Sequence, residues 1–143
     1  MNNRLPISLL VIVFFCACSN GPKPIEYGVD GCHYCSMTIV DKIHAAEIVT
    51  NKGKVYKFDA IECMVNYHEQ IEEKRIRYYL ANHYATPEEL IDATKATFLI
   101  SENVPSPMGA YLTGFKDKQQ AVEVQLEKGG ELYDWEGLLT YLR

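Results

Sequence analysis

Ala46-Glu47-Ile48-Val49-Thr50-Asn51-Lys52-Gly53-Lys54-Val55-Tyr56-Lys57-Phe58-Asp59 is the stretch that decides how this chain is built. Residues 45–51 and 54–58 read as two strands of a hairpin that turns at Lys52-Gly53. Asp59 is placed to cap a helix over 60–73, with Ile61, Met64, Val65 and His68 on one face. Further strands are expected over 76–81 and 96–101. Residues 87–94 read as a short helix or turn, and 102–109, with Pro105 and Pro107, as a loop.

The hairpin has an echo downstream. Ala46-Glu47-Ile48-Val49-Thr50-Asn51-Lys52-Gly53 parallels Val122-Glu123-Val124-Gln125-Leu126-Glu127-Lys128-Gly129, and after Gly130 residues 54–61 parallel 131–138. Cys35-Ser36-Met37-Thr38 has a looser partner in Ser106-Pro107-Met108-Gly109. Two halves are too few for a solenoid and point to duplication, with one methionine loop in each half. The echo makes 122–126 a strand. A helix over 118–128, stopped by Gly129-Gly130, fits the same residues. Residues 131–133 then form a strand and 135–142 a closing helix.

The first seventeen residues stand apart. Arg4 precedes a mostly apolar run over 5–17, too short to span a bilayer, which reads as a signal peptide. Phe15-Cys16-Ala17-Cys18 resembles a bacterial lipoprotein box, with cleavage before Cys18 and acylation, as by palmitate, of that thiol. Residues 18–26 form the lipidated tether, and 19–24 suit a flexible leash. The protein is expected on a membrane face in an oxidising extracytoplasmic space. Beyond residue 17 the chain carries 13 basic against 19 acidic residues, a net charge of −6. That balance argues against nucleic acid as a partner. It also argues against electrostatic binding to anionic lipid, which leaves anchoring to the acyl chain.

Removal of the leader and acylation of Cys18 leave three thiols, Cys32, Cys35 and Cys63, an odd number for a disulfide framework. Cys32-His33-Tyr34-Cys35-Ser36-Met37 sets two of them and a thioether within six residues. Soft sulfur donors select Cu(I) over hard cations. Zinc takes thiolates but has little use for methionine. In an extended loop Cys35 and Met37 point the same way and can face one ion. Cys32 is either a third donor or a disulfide partner for Cys35. Met108, between Pro107 and Gly109, is a loop candidate for a fourth. Cys63 lies on the predicted helix, where packing explains it as well as metal does, so it is the first substitute. His33 sits inside the Cys loop and reads as a solvated histidine or as an added nitrogen ligand, and His44, His68 and His83 show no metal spacing.

These pieces resemble the NosL family of copper-binding lipoproteins. The resemblance rests on the lipobox, Tyr27-Gly28-x-Asp30-x-Cys32-x-x-Cys35-x-Met37, Val55-Tyr56-Lys57-Phe58-Asp59, Glu62-Cys63, Ile91-Asp92-Ala93, Pro107-Met108-Gly109 and Gly129-Gly130, in the family's order. Ser36 departs from it, because glycine commonly separates that Cys and Met. The resemblance implies an α+β fold of two similar ββαβ units, here 27–95 and 96–143, and favours the helix over 118–128. It implies a non-enzymatic chaperone of the bacterial cell envelope, facing the periplasm, that carries Cu(I) to apo nitrous oxide reductase, with Cys32, Cys35, Met37 and Met108 as the metal ligands. Three rivals remain: a thiol–disulfide oxidoreductase using Cys32 and Cys35, a zinc knuckle of Cys32, Cys35, Cys63 and a histidine, and copper delivery to another acceptor.

Overall fold

The computed structural model describes residues 20–143; the expected signal peptide, Cys16 and the expected acylation site Cys18 lie outside them. Strands β1 (Ala46–Thr50) and β2 (Val55–Phe58) form the expected hairpin, with Ala46 opposite Phe58 and Val49 opposite Val55. All five residues of β1 are buried, because it runs through the interior of a four-stranded sheet. Helix α1 (Ile61–His68) follows, then β3 (Ile76–His83) and β4 (Thr86–Asp92), giving the order β2-β1-β3-β4. Strand β5 (Thr97–Ile100), β6 (Leu112–Phe115), α2 (Lys118–Lys128), β7 (Glu131–Tyr133) and α3 (Trp135–Tyr141) make the second unit, with sheet order β6-β5-β7.

The α+β architecture of two ββαβ units is therefore present: β1-β2-α1-β3 and β5-β6-α2-β7 have the same connectivity and the same strand order. The sequence echo does not follow that symmetry. It aligns strand β1 with helix α2, although it does align one strand-to-helix corner, β2 into α1, with another, β7 into α3. The helical reading of 118–128 holds because its ends are capped. The Asp117 carboxylate accepts the Gln119 N–H at 2.7 Å, and Gly129 closes the helix with φ +72.

Two elements differ from expectation. Residues 86–92 form an edge strand where a short helix or turn over 87–94 is expected, and Pro87 is tolerated there because an edge has N–H positions that need no ladder partner. Helix α1 stops at His68, where i→i−3 bonds from Gln70 and Ile71 to Tyr67 and His68 tighten its last turn.

One core joins the units. Ile48, Phe58, Ile61 and Met64 from the first pack with Phe98, Leu112 and Leu138 from the second, all with no exposed surface. The sheets meet where the Tyr84 N–H donates to Gly114 O at 2.8 Å. From Lys23 onward the N-terminal segment is pinned to this body. The Lys23 N–H donates to Glu47 Oε1 at 3.0 Å, Lys57 Nζ donates to Pro24 O at 2.7 Å, and Ile25 joins the core. Among the described residues no helix is long and apolar enough to cross a membrane.

Candidate metal centre

The Cys loop is shaped by its own backbone. The Cys32 N–H donates to Met37 O at 2.8 Å and the Ser36 N–H to Cys32 O at 3.0 Å, while Gly31 and Thr38 form a bridge at its mouth. This tight ring forces Ser36 to φ +66, in the left-handed region. A side chain there is strained by about 1–2 kcal/mol, against about 0.5–1 kcal/mol lost to the extra freedom of glycine. Ser36→Gly, the residue common in the resembling family, is expected to stabilise the protein by up to about 1 kcal/mol. Thermal unfolding reads this as a rise of a few degrees.

The loop docks on β2. The His33 N–H donates to Lys57 O at 2.9 Å, and the Lys57 N–H donates to His33 Nδ1 at 3.1 Å. The imidazole also stands edge-on to Tyr56, with centroids 5.2 Å apart. His33 thus works as a clamp that ties the loop to the sheet, and its Nδ1 is taken. This docking sets the Cys loop over the corner between β2 and α1. There Cys32, Cys35, Asp59 and Cys63 bring one ligand atom each within 4.8 Å of one another. Cys32 and Cys63 are buried and Cys35 is half-buried, so the group is closed beneath and open on the Cys35 side.

Asp59 is not the helix cap that its position predicts. The residue at the helix cap is Ala60, with no side-chain bond. The Asp59 carboxylate instead accepts the Cys35 thiol proton at 3.3 Å. Cys63 moves from substitute to full member of the group. The available signal was nearness in sequence: Asp59 stands just before the cap and Cys63 in the first turn of α1, so both belong to the same strand-to-helix corner.

All three cysteines are free thiols, and their protons are unevenly held. The Cys63 thiol donates to the Cys32 sulfur, and the Cys35 and Asp59 amides add to this, pulling Cys32 down to about 6 against the cost of burial. Burial pushes Cys35 up to about 11. The hydrogen bond to Cys32, then burial, hold Cys63 far above the ordinary thiol range. At neutral pH the group is one thiolate, Cys32, flanked by two thiols that donate, one to it and one to Asp59. A soft or borderline cation entering here displaces thiol protons as it binds.

Met37 and Met108 are not core filler: their side chains are 44% and 41% exposed. Met37 follows Cys35 by two residues, and its N–H donates to the Cys35 sulfur. Met108 sits on the loop over 106–110, which Glu62 holds. Glu62 Oε1 accepts from Ser106 Oγ at 2.9 Å and from the Ala110 N–H at 3.3 Å. Glu62 is buried and adjoins Cys63 in sequence, so the Met108 loop is fastened to the helix turn that carries the third thiol.

The arrangement disfavours a disulfide oxidoreductase. Such enzymes set C-x-x-C at a helix N-terminus with an accessible nucleophile. Here the pair lies in a hairpin-like loop, and the low-pKa sulfur, Cys32, is only 4% exposed.

Comparison with known proteins agrees with this architecture. A search of curated proteins found no match. Among solved structures, the copper chaperone NosL from Shewanella denitrificans superposes with a TM-score of 0.71 at 20% identity, over 82% of this chain and 94% of that one, which establishes a shared fold. The NosL family model matches residues 25–140, almost the whole described chain, from the docked N-terminal segment through the Cys loop to α3, and on that match this protein belongs to the NosL family.

Proposed function

We propose that this protein is an envelope-anchored copper carrier. It binds Cu(I) as cargo at the Cys32–Cys35–Cys63 group with Met37 and Met108 at the rim, and passes the ion to apo nitrous oxide reductase. The observation that carries this reading is the convergence of three thiols within 4.8 Å, in a chain whose Met37, two residues after Cys35, and Met108 are exposed. Family membership and the named structural relative support the same chemistry. Acylation at Cys18 supplies the anchor.

Transfer follows from the uneven burial. Cys32 and Cys63 form a buried floor and Cys35 is half-buried, while Met37, two residues on, is exposed, as is Met108 on the loop that Glu62 holds. An acceptor imidazole or thioether replaces the exposed donors first, one at a time. The buried sulfurs let go last, and Cys63 takes back the proton it released. Nothing is turned over, so the reading requires no catalytic residue.

Three thiols and a carboxylate also match the ligand preferences of Zn(II), so the test must separate the two ions. Anaerobic titration of the reduced protein against a Cu(I)-selective chelator is expected to give one tightly bound ion. Met37→Ala is expected to weaken it about tenfold, and excess Zn(II) to leave it in place. Displacement by Zn(II), or indifference to Met37→Ala, assigns the group to zinc instead.

A further inference from the structure

The acidic overall balance hides a local reversal. The turn between β1 and β2 and the segment after α1 enclose a groove of about 550 Å³. Its charged lining is Lys52, Lys54, Lys74 and Arg75 against Glu72 alone, a net +3 on a protein of net −5. Glu72 pairs with Lys74 and Arg75 at 3.2 Å each. Among the described residues neither Lys52 nor Lys54 forms an ion pair; Lys54 Nζ rests over the Tyr56 ring, 4.5 Å from its centroid.

The described chain begins at this same turn. Asn20 lies against Gly53, so closely that a β-carbon on residue 53 would come within 2.5 Å of the Asn20 side-chain oxygen. From Lys23 onward the chain is bonded to the body. Only Ser19 lies between Cys18 and Asn20, and the two steps of chain span at most about 7 Å. Upstream lies the apolar run over 5–17.

We infer that the groove between the β1–β2 turn and the end of α1 is a docking surface for anionic phospholipid headgroups, seating the domain on its membrane by Lys52 and Lys54. This rests on the acylated-anchor reading, because the short leash is what brings these lysines to the headgroup layer. The cations and the lipid are complementary, and each lysine near an anionic surface strengthens association about fivefold. The consequence is orientation. Asp59 lies five residues beyond Lys54 along β2, about 16 Å from the turn, so the thiol group faces away from the bilayer, toward an acceptor in the aqueous space.

The test uses the full acylated chain with vesicles of phosphatidylcholine alone or with one-third phosphatidylglycerol. The readout is acetylation of each lysine, measured by mass spectrometry. On anionic vesicles Lys52 and Lys54 are expected to react at least about fivefold more slowly than on neutral ones, with Lys95 and Lys116, beside β4 at the other edge of the sheet, unchanged. Salt at 0.5 M is expected to abolish the protection. Equal rates on both vesicles, or equal protection of every lysine, overturn the inference. Co-sedimentation with neutral vesicles reports the acyl anchor separately. If that fails, salt-sensitive co-sedimentation with anionic vesicles that is lost in a Lys52→Gln, Lys54→Gln double variant still upholds the lipid surface, and its absence overturns it.

Discussion

Cys63→Ser is expected to lower Cu(I) affinity by at least about a hundredfold, while the protein stays folded. Loss of even an outer partner of a metal site costs about 10–100-fold, and loss of a direct donor costs no less. The substitution keeps the shape of the side chain and replaces a soft sulfur with a hard oxygen that Cu(I) does not favour. Cys63 is fully buried in the first turn of α1, and its thiol already bonds to Cys32. It therefore needs no rearrangement to reach an ion held by Cys32 and Cys35. The proton inventory adds a second signature. The free protein holds protons on Cys35 and Cys63 at neutral pH. Cu(I) binding thus releases protons, and affinity rises with pH. Cys63→Ser removes one of those protons, so both the affinity and its pH slope fall. A chelator competition at pH 6, 7 and 8 reads both. A protein that keeps wild-type affinity and slope after Cys63→Ser uses Cys63 only for packing, and its copper is then held by Cys35 with Met37 and Met108. Cys63→Ala guards the interpretation: a packing role costs stability through the lost sulfur but leaves affinity untouched.

The centre shows where a sequence can and cannot be read. Cys32, Cys35 and Met37 are legible because six consecutive residues carry the spacing, and local backbone bonds close that loop almost unaided. Asp59 and Cys63 are not, because they join the group only when the loop folds across β2 through the His33–Lys57 pair, 24 residues apart. An aspartate before a helix looks like a cap; only the position of Cys35 reveals that its carboxylate is engaged elsewhere. The same limit explains the misplaced echo. The alternation of Val122, Val124 and Leu126 is a true strand pattern, but Asp117 and Gly129 cap both ends of a helix there, and Leu126 is left 82% exposed. The repeated ββαβ unit lives in connectivity and strand order, which similar letters do not have to follow. Residues 86–92 mislead for a related reason, since Pro-Glu-Glu resembles a helix start until the edge of a sheet is known to run beside it.

Glu47 makes the second large prediction, a stability that falls as pH rises from 5 to 8. The side chain lies on β1 with no exposed surface. Its Oε1 accepts the Lys23 N–H, while Oε2 is buried without a partner. Burial pushes its pKa up to about 7 against the Lys23 bond and the charge of Lys57, its cross-strand neighbour, with Asp30 adding repulsion. The unfolded chain releases this proton near the ordinary value of 4.5. The folded state therefore binds the proton more tightly, and the stabilisation is complete below about pH 4.5 and lost by about pH 7. The raised pKa corresponds to roughly 3 kcal/mol at most. Urea unfolding of wild type and Glu47→Gln at pH 5 and pH 8 separates this effect from every other titrating group. The amide keeps an acceptor for the Lys23 N–H but carries no charge at either pH. Glu47→Gln is expected to lie close to wild type at pH 5 and to exceed it by about 2–3 kcal/mol at pH 8. Profiles that run parallel across the range would mean that Glu47 is solvated or paired in the folded protein. The N-terminal segment that Lys23 fastens to β1 would then be held by the Lys57 bond to Pro24 and the packing of Ile25 alone.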